Sequence, residues 1–219
     1  IVRTQRYSMS YIPLARKYRP SQFSDLVGQD TTAKALASAI SIGRQPPVTL
    51  FTGVRGVGKT TIARLIAKSM NCANLSKISQ GNFDDKLSIR RSFSEGGLPI
   101  PCDTCDLCRS FNEGRAYDLI EIDAASNRGI DEIRELREGV RFVPTQGRYK
   151  TYIVDECHQL TKEAFNALLK TLEEPPAHAI FVLATTELDK VPATIISRTQ
   201  HFDFRRPNVG QIAGRLGEI

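Results

Sequence analysis

The run Gly53-Val54-Arg55-Gly56-Val57-Gly58-Lys59-Thr60 has the residue types and the G-x-x-x-x-G-K-[ST] spacing of a phosphate cradle. Gly53, Gly56 and Gly58 let backbone N–H groups turn inward around phosphate oxygens, and a helix beginning at this point adds the positive end of its dipole. Lys59 can reach the β- and γ-phosphates of ATP, and the Thr60 hydroxyl can ligate Mg²⁺. Val57 and Thr61 complete the segment expected to hold nucleotide. An apolar stretch, Val48 to Phe51, precedes the run, and Ile62 to Lys68 reads as the helix that follows. A Gly-rich turn ending by chance in Lys-Thr would not bring that strand and helix with it.

A second set of groups lies about 95 residues on. Thr151-Tyr152-Ile153-Val154-Asp155-Glu156 is an apolar strand ending in two acids. Asp155 is expected to hold Mg²⁺ opposite Thr60, directly or through water. Glu156, one residue further, is placed to polarise a water for attack on the γ-phosphate. Leu183-Ala184-Thr185-Thr186 ends the next strand with two hydroxyls, either of which can read the γ-phosphate or simply cap the following turn. Ser197-Arg198-Thr199 carries an arginine that, if it does not reach its own phosphate, can serve a neighbouring subunit.

The cysteines suggest a separate centre. Cys102-x2-Cys105-x2-Cys108 places three thiols within seven residues, and Cys72 follows the phosphate-loop helix. Four thiolates suit a closed tetrahedral Zn²⁺ site. An iron–sulfur cluster is the competing reading, although the triplet lacks a following C-x3-C-P completion. Uncoordinated thiols are a third. Cys157 sits inside the nucleotide-site sequence and reads as a small buried residue. Clustered thiols beside nucleotide chemistry point to a reducing, cytoplasmic location.

Strand-like runs alternate with amphipathic segments, as in an α/β fold with a parallel five-stranded sheet flanked by helices. The expected strands are Thr49–Thr52, Leu119–Asp123, Thr151–Asp155, Ile180–Ala184 and Gln200–Phe204. A helix is expected over Lys162–Glu174, with Thr161 as its N-cap. Phe165, Leu168, Leu169 and Leu172 form its buried stripe, and Pro175-Pro176 stops it. A second amphipathic segment spans about Asp131 to Val140, with Ile133, Leu136 and Val140 on one side. Between Ala73 and Pro101 the pattern gives way to Ser, Gly, Asp and Lys, as in an extended surface insertion carrying exposed Arg90 and Arg91.

The 219 residues suit one α/β domain, or one and a fragment of another. No apolar run approaches the roughly 20 residues of a membrane-spanning helix. The first eight residues lack the apolar centre of a secretory signal and precede Met9, so residues 1–13 read as an N-terminal extension. The net charge of +6 is compatible with an ordinary surface or with nucleic-acid contact.

Several segments together resemble the gamma/tau family of bacterial clamp-loader ATPases, subunits of DNA polymerase III. They are Leu14 to Pro20, Asp25 to Gln29, Phe51 to Arg64, Asp118 to Ser126, Asp155 to His158 and Phe165 to Pro176. The resemblance spans roughly Leu14 to Arg206. It implies an AAA+ P-loop ATPase domain over 14–206, with the zinc module inserted over 72–108 and a helical lid beginning, and cut short, at 207–219. It implies that Tyr18, Arg19, Pro20 and Val27 pack against adenine, that Thr185 or Thr186 is the phosphate sensor, and that Arg198 is a finger acting on the neighbouring subunit. The family usually has Ser-Arg-Cys where this chain has Thr199, but the arginine is kept. The family's insertion before the cysteine triplet is commonly shorter.

The resemblance further implies an ATP-driven motor that opens a sliding clamp and loads it on primed DNA. Its partners would be delta and delta-prime type subunits, the clamp and primer–template DNA. Arg128, near the start of a helix in Ala125-Ser126-Asn127-Arg128-Gly129, is the candidate phosphate contact to DNA, against an ordinary solvated arginine. Two other readings remain in view. Asp155-Glu156-Cys157-His158 also fits a helicase or branch-migration pattern, and degenerate clamp-loader relatives are structural subunits that do not hydrolyse ATP.

Overall fold

The computed structural model describes residues 13–75 and 101–219. The expected N-terminal extension up to residue 12 lies outside the described residues, as does most of the insertion, including Arg90 and Arg91. Five parallel strands form one sheet: β1 (Val48–Thr52), β2 (Leu119–Asp123), β3 (Lys150–Asp155), β4 (Ala179–Thr185) and β5 (Gln200–Asp203). Their spatial order is β2-β3-β4-β1-β5. All five expected strands are present, with ends differing by at most a residue.

The alternation of side chains along each strand divides the interior into two cores. Phe51, Ile153, Ile180 and Val182 face one core, which α2 (Asp30–Ser41) and α3 (Lys59–Met70) cover with Leu36, Ile40, Ile62 and Ile66. Leu50, Tyr152, Val154, Phe181 and Leu183 face the other. There α5 (Ile130–Gly139) and α6 (Lys162–Glu173) contribute Ile133, Leu136, Phe165, Leu168 and Leu172. Leu169 is only half-buried, so the α6 stripe is narrower than its spacing suggested. Two short helices are also present, α1 (Leu14–Lys17) and α7 (Ala193–Ile196); α4 (Asp106–Asn112) begins after Cys105 and carries Cys108, and α8 (Val209–Gly217) follows β5.

Local chemistry fixes the element ends. Thr161 caps α6 by accepting the Ala164 N–H at 3.2 Å. Asn208 and Gln211 form a reciprocal capping box at α8. The buried Asp118 carboxylate accepts N–H groups of Thr145, Gln146 and Gly147 at 2.6, 2.8 and 2.7 Å, which fixes the turn into β3. Central strands β1 and β4 are buried throughout, whereas edge strands β2 and β5 carry exposed Glu121 and His201, as suits sheet edges facing water.

No helix among the described residues is long and apolar enough to cross a membrane.

Candidate functional site

The registers align the C-terminal ends of the strands. Thr52 of β1 lies beside Thr185 of β4, and Val154 of β3 beside Leu183. The loop after β1, the acids after β3 and the threonines ending β4 therefore meet at one sheet edge, where open α/β sheets bind ligands. Gly53, Gly56 and Gly58 all have positive φ, at 140°, 84° and 102°, and Gly58 leads directly into α3. Val57 is buried and Thr61 half-buried on the first turn. The Lys59 ammonium donates to the carbonyls of Gly53 and Val54 at 2.7 and 3.0 Å. Burial lowers the Lys59 pKa from its ordinary value, opposed by the nearby charges of Glu156 and Asp155.

Thr60 and Asp155 come together across 95 residues: Thr60 Oγ1 donates to Asp155 Oδ2 at 2.7 Å. Both are hard oxygen donors, Thr60 on the first turn of α3 and Asp155 at the end of β3, the set Mg²⁺ prefers. Glu156 follows in the left-handed region, φ 48° and ψ 44°, an unusual backbone for a non-glycine residue. That conformation turns its carboxylate into a cleft of about 450 Å³ lined by Val54, Arg55, Ala125, His158, Gln159, Thr186 and Glu187. Thr186 Oγ1 donates to Glu156 Oε2 at 2.9 Å. The two adjacent threonines thus separate: Thr186 faces the acid, whereas Thr185 is fully buried and bonded to His158 and the Glu187 backbone.

The N-terminal residues lie elsewhere. Arg19 and Pro20 line a larger cavity of about 690 Å³ with Thr61, Arg64, Leu65 and Glu121. Lys17 stacks its ammonium over the Tyr18 ring, 4.9 Å from the centroid. Val27 is half-buried beside Gly28, which packs on Pro207, while Gln29 Nε2 donates to Arg205 O at 2.6 Å. Arg198 lines neither cavity: its guanidinium is held by Glu173, with Nε–Oε1 2.7 Å, and by Thr194 O at 2.6 Å. Arg128 is exposed just before α5 and donates to Ala125 O at 3.0 Å.

The cysteine cluster assembles as the spacing suggested. The Sγ atoms of Cys72, Cys102, Cys105 and Cys108 all lie within 4.8 Å of one another, and Cys102 and Cys108 are 3.9 Å apart. A tetrahedral zinc with Zn–S near 2.3 Å sets its sulfurs about 3.8 Å apart, so this donor set fits that ion with little movement. Cys105 also caps α4, its sulfur accepting the Cys108 N–H. A hydrogen bond from Cys108 holds the Cys72 thiol down to about 4 and pushes that of Cys108 up. Cys157 stands apart, fully buried, its thiol raised to about 12 by burial.

Two connections were not legible in the sequence. Lys68 on α3 is buried yet bonded to Asp103 in the cysteine loop, to Asn112 at 2.6 Å and to Ser21 O at 3.1 Å. It ties the phosphate-loop helix to the cysteine module. His158 joins Thr185, Glu156 and Glu187, and its only sequence signal was its place in Asp155-Glu156-Cys157-His158.

This sheet, with a phosphate loop after β1 and paired acids after β3, defines an AAA+ P-loop nucleotide-binding fold. A Thermotoga maritima RuvB Holliday junction branch migration motor shares the fold, with a TM-score of 0.56 at 16% identity over 91% of this chain and 52% of that one. Residues 28–208 match the family described as "DNA polymerase III, delta subunit", and the chain belongs to that family. The DNA polymerase III subunit tau of Salmonella typhimurium is 46% identical over 96% of this chain and 30% of its own length. The Bacillus subtilis tau subunit is likewise 46% identical, over 96% and 34%. A Buchnera aphidicola gamma subunit is 44% identical over 89% of this chain and 48% of its own. The resemblance to gamma/tau subunits read from the sequence is thus matched by similarity along nearly the whole chain, which spans about a third of the tau relatives' length.

Proposed function

We propose that this chain is the ATP-binding and ATP-hydrolysing part of a clamp-loader motor subunit in DNA replication. The observation that carries the reading is the 2.7 Å contact between Thr60 and Asp155, with Glu156 beside it at the mouth of the cleft. In this reading the groups take separate tasks. Backbone N–H groups from Gly53 to Thr60 cradle phosphates, and Lys59 leaves its carbonyl partners to meet their charge. Thr60 and Asp155 would hold Mg²⁺, which supplies neutralisation of phosphate charge. Glu156 accepts a proton from the attacking water, and Thr186 holds its carboxylate in line. The lowered Lys59 pKa reflects a cation buried ahead of its partner, so an incoming phosphate regains the interaction that burial weakened.

The remaining assignments belong to the same reading. Tyr18, Arg19, Pro20 and Val27 border the base. Arg198 acts on the nucleotide of a neighbouring subunit, released from Glu173 as subunits assemble. Arg128 touches a DNA phosphate, and Cys72, Cys102, Cys105 and Cys108 hold a structural Zn²⁺. Residues 14–206 form the ATPase domain, with a lid domain starting at about 207. Delta and delta-prime type subunits, the sliding clamp and primer–template DNA are the partners, in the cytoplasm. A steady-state ATPase measurement on the full-length protein with its partner subunits tests the reading. Clamp and primed DNA together should stimulate turnover, and Lys59→Ala should abolish nucleotide binding. Absence of stimulation would contradict clamp loading, and robust strand separation without a clamp would favour a helicase.

A further inference from the structure

The Glu156 backbone is held by Asp155 Oδ1 and by the Gln159 N–H, each at 2.9 Å, which leaves the direction of its carboxylate to other partners. The residue occupies the left-handed region, and its side chain retains 26% exposure at the cleft. A flexible carboxylate there needs partners to keep one orientation. Thr186 is one, at 2.9 Å from Oε2. The second is His158, whose Nδ1 lies 3.5 Å from the same oxygen and whose side chain is only 4% exposed.

The ring is itself fixed from β4. Nδ1 lies 2.9 Å from Thr185 Oγ1, while Nε2 lies 3.1 Å from Glu187 Oε1 and 2.7 Å from the Gln159 side-chain amide. The Thr185 hydroxyl already donates to the Glu187 carbonyl at 3.1 Å and accepts the Glu187 N–H at 3.0 Å. Its single proton is committed, so Nδ1 carries the ring proton and donates it to Thr185 Oγ1, with Glu156 Oε2 on the same side, while Nε2 accepts from the Gln159 amide. Beyond it, Glu187 pairs with Lys190 at 2.7 Å, a residue 55% exposed. Polar groups therefore line the path from the surface turn at 187–190 past His158 to the acid in the cleft, with the ring itself held by Thr185 and Gln159.

We propose that His158 is a positioning residue for Glu156. The imidazole clamps the exit of β3 to the turn after β4, so the direction of the water-polarising carboxylate follows the position of that turn. The inference rests on the ATPase reading above and adds to it the element that sets the acid's geometry.

The test uses full-length protein assembled with its partner subunits, measuring nucleotide affinity, KM and kcat for His158→Ala, His158→Asn and His158→Gln. Asparagine can present an N–H near the Nδ1 position, whereas glutamine extends toward Nε2. His158→Ala should lower kcat by about 10- to 100-fold, a part of what a general base supplies, with KM changed by less than about twofold. His158→Asn should recover most of the loss and His158→Gln should not. The double variant Glu156→Gln/His158→Ala should turn over no more slowly than Glu156→Gln alone, because both changes remove the same function. Undiminished kcat in a folded His158→Ala protein, or losses that multiply in the double variant, would overturn the inference. Should His158→Ala fail to fold, equal kcat in the asparagine and glutamine variants would overturn it instead. An unaltered protein that neither binds nor hydrolyses ATP would remove the ATPase reading itself, and the positioning role with it.

Discussion

Replacing Gly53 by alanine separates two costs that the phosphate loop combines. Gly53 sits at φ 140°, and an added Cβ would lie 2.5 Å from the Phe204 carbonyl oxygen and 2.9 Å from its Cβ. The first contact is with backbone, so it is relieved only by moving the chain after β5 away from β1. Phe204 is 3% exposed and packs against Phe51 with ring centroids 4.9 Å apart, so that movement opens the core beneath the loop. Backbone strain of this kind costs about 1–3 kcal/mol, and forced overpacking adds about 1–3 kcal/mol. At roughly 2–4 °C per kcal/mol for a chain of this size, Gly53→Ala should melt about 5–20 °C below the unaltered protein. Gly56 is the internal control. Its φ is 84°, but nothing lies within 4 Å of an added Cβ, so Gly56→Ala carries the strain alone. Thermal melts followed by circular dichroism compare the two. Equal melting temperatures for both variants, or Gly53→Ala within a degree of the unaltered protein, would refute the clash argument.

The cysteine cluster should bind about one zinc per chain by elemental analysis, and Cys108→Ser should reduce that content and lower the melting temperature, since a closed thiolate site contributes directly to folding. Zinc content unchanged in Cys108→Ser would exclude the four-thiolate arrangement. Arg198→Ala should leave nucleotide affinity intact but lower turnover of the assembled complex by about 10³-fold or more, the scale of a trans-acting arginine; an unaltered assembled rate would remove that assignment. Arg128→Ala should weaken primed-DNA binding similarly across sequences and reduce the salt dependence by about one unit of slope. An unchanged slope would return Arg128 to the solvated surface.

The local features of this fold were readable because each depends on neighbouring residues. Alternating apolar runs marked all five strands, Thr161 marked the start of α6, and Pro175 its end, as backbone sterics and capping require. The Cys102, Cys105 and Cys108 spacing places three thiols on one turn-rich segment, and the fourth, Cys72, had to come from a helix end. The α6 stripe was read too wide, since periodicity gives the face of a helix but not how far neighbouring elements cover it; Leu169 sits at that margin.

Long-range order is where the sequence by itself stopped. It determined a phosphate loop at Gly53–Thr60, a pair of acids at Asp155 and Glu156, and two threonines at the end of a later strand. Chain order does not say which strands adjoin. Only the tertiary structure decided that β4 lies between β1 and β3, which puts Thr186 on Glu156 and turns Thr185 inward. It likewise decided the partners of His158 and the burial of Lys68, because hydrogen bonds between residues dozens of positions apart leave no local pattern. Composition and spacing fix which groups are available, while the strand order fixes which of them meet.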